Sequence, residues 1–199
     1  MALIPRTAAE TLRRLARGFP VVAITGPRQA GKTTLARQVF PRKPYVTLED
    51  PEEREFAARD PRRFLSRFAR GAVLDEVQRC PELLSYLQGE VDRRRRMGEF
   101  ILTGSQQFGL LSHITQSLAG RVGLVQLLPF SLAELSGAKH LPRELDTLLL
   151  KGGYPPLYDR AVAPGDWFPN YVGTYLERDV RQLLAVRDLV LFQHSGQRC

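Results

Sequence analysis

Residues 26–34 read Gly26-Pro27-Arg28-Gln29-Ala30-Gly31-Lys32-Thr33-Thr34, and they sit just behind the apolar run Val21-Val22-Ala23-Ile24. A Gly-x-x-x-x-Gly-Lys-Thr stretch between a buried-type strand and the amphipathic segment Thr34-Leu35-Ala36-Arg37-Gln38-Val39-Phe40 has the setting of a phosphate-binding loop, or P-loop. The bare pattern also arises by chance in Gly- and Lys-containing turns. The strand before it and the helix after it speak against chance here.

The spacing has a chemical reason. A triphosphate must be held by many donors with no side chains in the way, and Gly26 and Gly31 supply backbone that comes close and takes unusual torsions. Between these two glycines successive backbone N–H groups face inward, the helix starting near Lys32 adds its positive dipole end, and the whole stretch from Gly26 to Thr34 is expected to bind the nucleotide. Lys32 is placed to reach β- and γ-phosphate oxygens, and the Thr33 hydroxyl to complete Mg²⁺ coordination. Thr34 is read as part of the helix start rather than as a metal ligand.

A second apolar run, Ala72-Val73-Leu74, ends in Asp75-Glu76, the layout of a Walker B strand. Asp75 would hold Mg²⁺ largely through its water shell, and Glu76 would orient or deprotonate the attacking water. Taken alone, such a pair is more commonly a solvated strand end; the P-loop upstream favours catalysis. A further strand, Phe100-Ile101-Leu102, ends in Thr103-Gly104-Ser105. Ligands of open α/β sheets gather at the carboxyl edge of the strands, so Thr103 or Ser105 is either a sensor of the γ-phosphate or part of a plain Gly turn.

With 199 residues, 43% of them hydrophobic, the chain can bury one good core and part of a second. No apolar run approaches bilayer length, no hydrophobic signal region precedes Val21, and a cytoplasmic protein with no membrane partner is expected. Cys80 and Cys199 lie far apart without metal-ligand spacing. The formal charge of +8 comes almost wholly from arginine, with only four lysines. Arg93-Arg94-Arg95-Arg96 ends an amphipathic helix that starts near Pro81. Cations are favoured at a helix C-terminus, which makes a solvated helix end the default reading and a nucleic-acid patch the alternative.

Elsewhere, Thr7-Ala8-Ala9-Glu10 has capping-box spacing ahead of a helix carrying Leu12 and Leu15. A strand is expected near Tyr45-Val46-Thr47-Leu48, then an acidic turn at Glu49-Asp50-Pro51 and a helix capped by Asp60-Pro61. A helix through Leu110, Leu111, Ile114 and Leu118 leads to the strand Val122–Leu127. Strands alternating with helices predict an α/β fold, a parallel sheet of about five strands with helices on both faces. From Pro129 the pattern turns helical, and a core-packing helix is expected over Trp167–Val186.

Eight stretches in order resemble a bacterial and archaeal family of AAA-superfamily ATP-binding proteins, with an AAA-type core and a C-terminal domain of poorly understood function. They are Gly-Pro-Arg-Gln-Ala-Gly-Lys-Thr-Thr-Leu (26–35), Leu-Glu-Asp-Pro (48–51), Leu-Asp-Glu-Val-Gln (74–78), Leu-Thr-Gly-Ser (102–105), Leu-Ala-Gly-Arg (118–121), Leu-Pro-Phe-Ser (128–131), Gly-Gly-Tyr-Pro (152–155) and Tyr-Leu-Glu-Arg-Asp-Val (175–180). The resemblance implies ATP and Mg²⁺ as ligands, a P-loop core over residues 1–130, and a helical lid with the start of a truncated C-terminal domain over 131–199. It also makes Arg121 a candidate to contact the γ-phosphate, in cis or across an interface of a homo-oligomer; by itself Arg121 reads as a solvated turn residue. Members are expected to continue well past the Tyr-Leu-Glu-Arg-Asp-Val helix, whereas the last stretch here, Gln193–Cys199, departs from an apolar helix.

Three functions fit. The leading one is Mg²⁺-dependent ATP hydrolysis coupled to movement of an attached domain. A nucleotide-set switch for DNA or protein with little turnover, and a small-molecule kinase, are the alternatives. The tandem Asp-Glu favours water over a kinase acceptor, and no element specifying the base stands out.

Overall fold

A computed structural model of the chain describes residues 3–105, 114 and 116–175. Two compact units divide it, Met1–Asp159 and Arg160–Cys199. The first unit is built on a five-stranded sheet: β1 (Val21–Thr25), β2 (Tyr45–Thr47), β3 (Val73–Asp75), β4 (Phe100–Thr103) and β5 (Val122–Gln126). The strands lie in the order β2-β3-β4-β1-β5 and every pairing is parallel.

β1 and β4 are buried along their whole length, which is why both read as unbroken apolar runs. Side chains of a strand alternate between faces. Val22 and Ile24 of β1, Val73 of β3 and Ile101 of β4 therefore share one core with Leu12 of α1 (Ala8–Gly18) and Leu35 of α2 (Lys32–Val39). Val21, Ala23, Leu74, Phe100 and Leu102 face the other way. They pack with Phe64 and Leu65 of α4 (Pro61–Ser66) and with Leu84 and Leu87 of α5 (Leu83–Arg94). Each such fully buried Leu or Phe stabilises the fold by about 1.5–3 kcal/mol, so both helical layers are needed to hold the sheet.

Local capping differs from expectation at two places. The Glu49-Asp50-Pro51 stretch is not a free acidic turn: it starts helix α3 (Pro51–Arg59), with the Asp50 side chain accepting from the Glu52 amide at 2.9 Å. An N-cap carboxylate followed by proline in the first turn is the same signal as at Asp60-Pro61, where Asp60 accepts from the Arg63 amide, and α3 adds Glu52 and Glu53 near its positive end. Thr7 makes no cap bond with the α1 backbone, so its spacing to Glu10 forms no capping box. Its amide and hydroxyl donate instead to Glu134, 2.8 and 3.0 Å away.

Beyond β5 the first unit continues through α6 (Leu132–Gly137), α7 (Leu145–Lys151) and α8 (Pro156–Asp159). Ser131 and Glu134 form a full capping box on α6. In the second unit, α9 (Pro164–Tyr175) contains Trp167 stacked on Tyr171 at 4.8 Å. Leu110 and Leu111 of the expected connecting helix lie outside the described residues, as do Val180, Leu183 and Leu184 of the expected C-terminal one. No helix among the described residues is long and apolar enough to cross a membrane.

Candidate functional site

Parallel pairing brings the carboxyl ends of all five strands to one edge, and the loop after β1 lies there. Gly26 has φ 145° and Gly31 φ 90°, both in the region that favours glycine, and Gln29 also has a positive φ of 59°. α2 starts at Lys32 directly behind Gly31. The Lys32 ammonium is buried and donates to the carbonyls of Gly26 (3.0 Å) and Pro27 (2.8 Å), which holds it over the loop. Thr34 is exposed in the first turn of α2.

Asp75 gathers hydroxyls from three elements. Thr33 Oγ1 of α2 lies 2.9 and 3.0 Å from its two oxygens, the Tyr45 hydroxyl of β2 donates to Oδ2 at 2.8 Å, and Thr103 Oγ1 of β4 donates to Oδ1. Hydrogen bonds to a charged group contribute about 1.5–3 kcal/mol each, so this carboxylate fixes how α2, β2 and β4 meet. Burial, followed by the bond to Asp75, pushes the Tyr45 hydroxyl up to about 12, so it stays a donor at neutral pH. The guanidinium of Arg37 lies over the Tyr45 ring. A hydroxyl and a carboxylate in contact form the hard oxygen pair that Mg²⁺ takes when most of its shell is water. Thr33 and Asp75 therefore fit that ion.

Glu76 follows in a left-handed conformation (φ 55°, ψ 43°) at the head of a short 3-10 turn, Val77–Arg79. Such backbone costs a non-glycine residue about 1–2 kcal/mol. Its carboxylate accepts from the side-chain amide of Gln78, which also donates to Ser105 Oγ at 3.1 Å. Lys32, Thr33, Asp75, Glu76, Thr103 and Ser105 are thus assembled at one edge.

Arg121 is not part of that assembly. It precedes β5, and its carbonyl accepts from the amide of Val21, the first residue of β1, at 3.1 Å. This is the amino edge of the sheet. Five residues of strand separate the two edges, about 16 Å at 3.3 Å per residue, which is beyond the reach of an arginine side chain. Its guanidinium instead makes a two-point bond with Asp92, at 2.6 and 2.8 Å. Within one chain Arg121 therefore stands as a turn residue at the edge opposite the P-loop.

Of the arginine run, Arg93, Arg95 and Arg96 are exposed and Arg94 is half-buried. Arg94 pairs with Glu90 and the buried Glu99 and donates to the Phe68 carbonyl, and Arg96 donates to the Ala69 carbonyl. Arg95 has a left-handed φ of 53° that ends α5. The helix-end reading accounts for these contacts.

A cleft beside the P-loop was not anticipated from the sequence. Leu3, Ile4, Phe130 and Tyr158 line it opposite Gly31 and Thr34. Its floor is Arg6, whose guanidinium donates to the P-loop carbonyl of Ala30 (2.9 Å) and to Glu134 (3.2 Å) and lies over the Phe130 ring. The Phe130 amide donates to the Gly153 carbonyl at 2.7 Å, so the Leu-Pro-Phe-Ser and Gly-Gly-Tyr-Pro stretches meet at this wall. Burial would raise the Glu134 carboxyl, but the amides of Ser131 and Thr7 and the charge of Arg6 outweigh it and hold the group below the usual range. Aromatic residues and one arginine scattered over the chain carry no spacing signal, and only the Ser131-x-x-Glu134 cap was open to sequence reading.

Comparison with known proteins agrees with this architecture. The AAA domain family matches residues 18–136, and a domain of unknown function (DUF8612) matches residues 142–195. Uncharacterized proteins of Mycobacterium bovis and Mycobacterium tuberculosis are 38% identical over 187 residues, 92% of this chain. The chain spans 41% of the length of those curated relatives. Among solved structures, the Walker-type ATPase PABY2304 of Pyrococcus abyssi superposes with a TM-score of 0.55 at 19% identity, over 98% of this chain and 77% of that one. That likeness concerns the fold. Since the family match takes in more than half of the residues, the chain belongs to the AAA domain family, with an AAA-type P-loop ATPase fold followed by a domain of unknown function.

Proposed function

We propose that the chain binds ATP with Mg²⁺ and hydrolyses it, and that turnover moves the region that follows the sheet. The observation that carries this reading is the contact of Thr33 with Asp75 at 2.9 Å, with Lys32 on one side and Glu76 on the other. Lys32 and the loop amides bind the β- and γ-phosphates. Thr33 and Asp75 would hold Mg²⁺, which would supply charge neutralisation to the phosphates. Glu76 accepts a proton from the attacking water, and Ser105 donates a hydrogen bond at the same edge, the Thr103 hydrogen being given to Asp75. The base is placed in the cleft of Ile4, Phe130 and Tyr158, whose aromatic walls suit stacking on a flat ring. Arg6 and Phe130 join that cleft to Glu134 of α6 and to Gly153, a physical route from nucleotide to the following helices. Arg121 acts on a phosphate only if a second copy of the chain presents it.

The test is nucleotide affinity and Mg²⁺-dependent phosphate release for wild type, Lys32→Ala and Glu76→Gln. Expected are loss of binding in the first variant, and retained binding with turnover lowered at least about 100-fold in the second. Wild type without Mg²⁺-dependent turnover, or Lys32→Ala with intact affinity, refutes the reading.

A further inference from the structure

Gln78 stands between Glu76 and Ser105, which follows β4 by two residues. Val77, buried in the core, anchors the 3-10 turn, and the turn folds Gln78 back beside Glu76. The Gln78 Nε2 group donates to Glu76 and to Ser105 Oγ, so both of its hydrogens are engaged. The carboxylate decides which way the amide faces, because a reversed amide would set oxygen against oxygen. Gln78 Oε1 is buried and has no hydrogen-bond partner. An amide kept at such a cost to its acceptor end is held for its donor end.

We propose that Gln78 is a positioning residue that ties the carboxylate of Glu76 to the hydroxyl of Ser105, so that the water-orienting group and the phosphate-facing end of β4 respond together. This rests on the ATPase reading given above. Because Ser105 Oγ accepts from Gln78, its own O–H is left to donate elsewhere, and Gln78 Nε2 is the common donor that joins Glu76 to Ser105. A phosphate oxygen accepting from the Ser105 hydroxyl would make Ser105 Oγ a better acceptor for the Gln78 amide, which Glu76 shares, and so be felt at Glu76. The tie runs parallel to the bond from Thr103 to Asp75, so β3 and β4 are linked once at the metal-type carboxylate and once at the base.

The decisive variants are Gln78→Leu, Ser105→Ala and their combination in the intact chain. Gln78→Leu is expected to leave ATP affinity within about twofold and to lower kcat at least about tenfold, with the double variant no slower than the slower single one. Gln78→Glu keeps the shape but replaces the amide donor with a carboxylate, so its kcat is expected to fall at least as far as that of Gln78→Leu. Independently of turnover, the Gln78 side-chain amide resonances of the nucleotide-free chain should shift in both Glu76→Ala and Ser105→Ala. Unmoved resonances refute the tie itself. Additive losses in the double variant, or affinity falling as much as kcat, refute the positioning role, whereas a wild type without turnover refutes the ATPase reading.

Discussion

Replacing Gly26 by alanine should damage the fold as well as the loop, and should do so more than replacing Gly31. A Cβ on Gly26 would stand 2.0 Å from the carbonyl oxygen of Leu127, and the position has φ 145°. Relaxing that contact to ~3.3 Å requires Leu127 to retreat by about 1.3 Å. The Leu127 amide donates to Thr25 at 2.7 Å, so the retreat breaks the bond that follows the β1–β5 ladder. A buried backbone bond left unmade costs about 1–3 kcal/mol, and the backbone strain a further 1–3, for a total of about 2–6 kcal/mol. At Gly31, φ is 90° but the nearest atoms are the Arg6 guanidinium at 3.7 Å and Pro155 at 3.9 Å. Only strain of about 1–2 kcal/mol remains there. Urea unfolding followed by circular dichroism separates the two, because a slope of about 2 kcal/mol per molar turns these figures into midpoint shifts of roughly 1–3 M and 0.5–1 M. A Gly26→Ala midpoint equal to wild type, or one above that of Gly31→Ala, would refute the reasoning.

Three further outcomes are expected. Arg6→Met leaves the Glu134 carboxylate, 4% exposed, without its cation and should cost about 3–5 kcal/mol in urea unfolding, much of it recovered when Glu134→Gln is added. Because Glu134 is held below its ordinary value of 4.5, its contribution is complete above that pH and is lost as pH falls through the lowered value; Tm should drop more steeply below pH 4.5 in wild type than in Glu134→Gln. Tyr45→Phe removes one of three hydroxyls on Asp75, so Mg²⁺-dependent nucleotide affinity should weaken about 5–12-fold, the equivalent of ~1–1.5 kcal/mol. Unaltered affinity in a calorimetric titration would show that Asp75 is positioned by Thr33 and Thr103 alone.

The residues themselves determined the strands, the P-loop and the presence of acidic and hydroxyl groups at strand ends. Each of these rests on neighbours within a few positions: an apolar run, two glycines at fixed spacing, a carboxylate that stops a strand. The helical layers follow from the same alternation, since Val22 and Val21 must face different partners. Even the start of α3 was available locally, because Asp50-Pro51-Glu52-Glu53 repeats the logic of Asp60-Pro61. What only the tertiary structure decided depends on strand order and direction, which no local pattern encodes. The placing of β2 beside β3 sets Tyr45 against Asp75 across a separation of 30 residues. The chain's return after β5 sets Glu134 against Arg6 across 128, and the parallel run of β5 puts Arg121 at the edge opposite the loop it had been matched with. Short-range sterics and hydrogen bonding fix the pieces, but pairing between distant strands chooses which side chains meet.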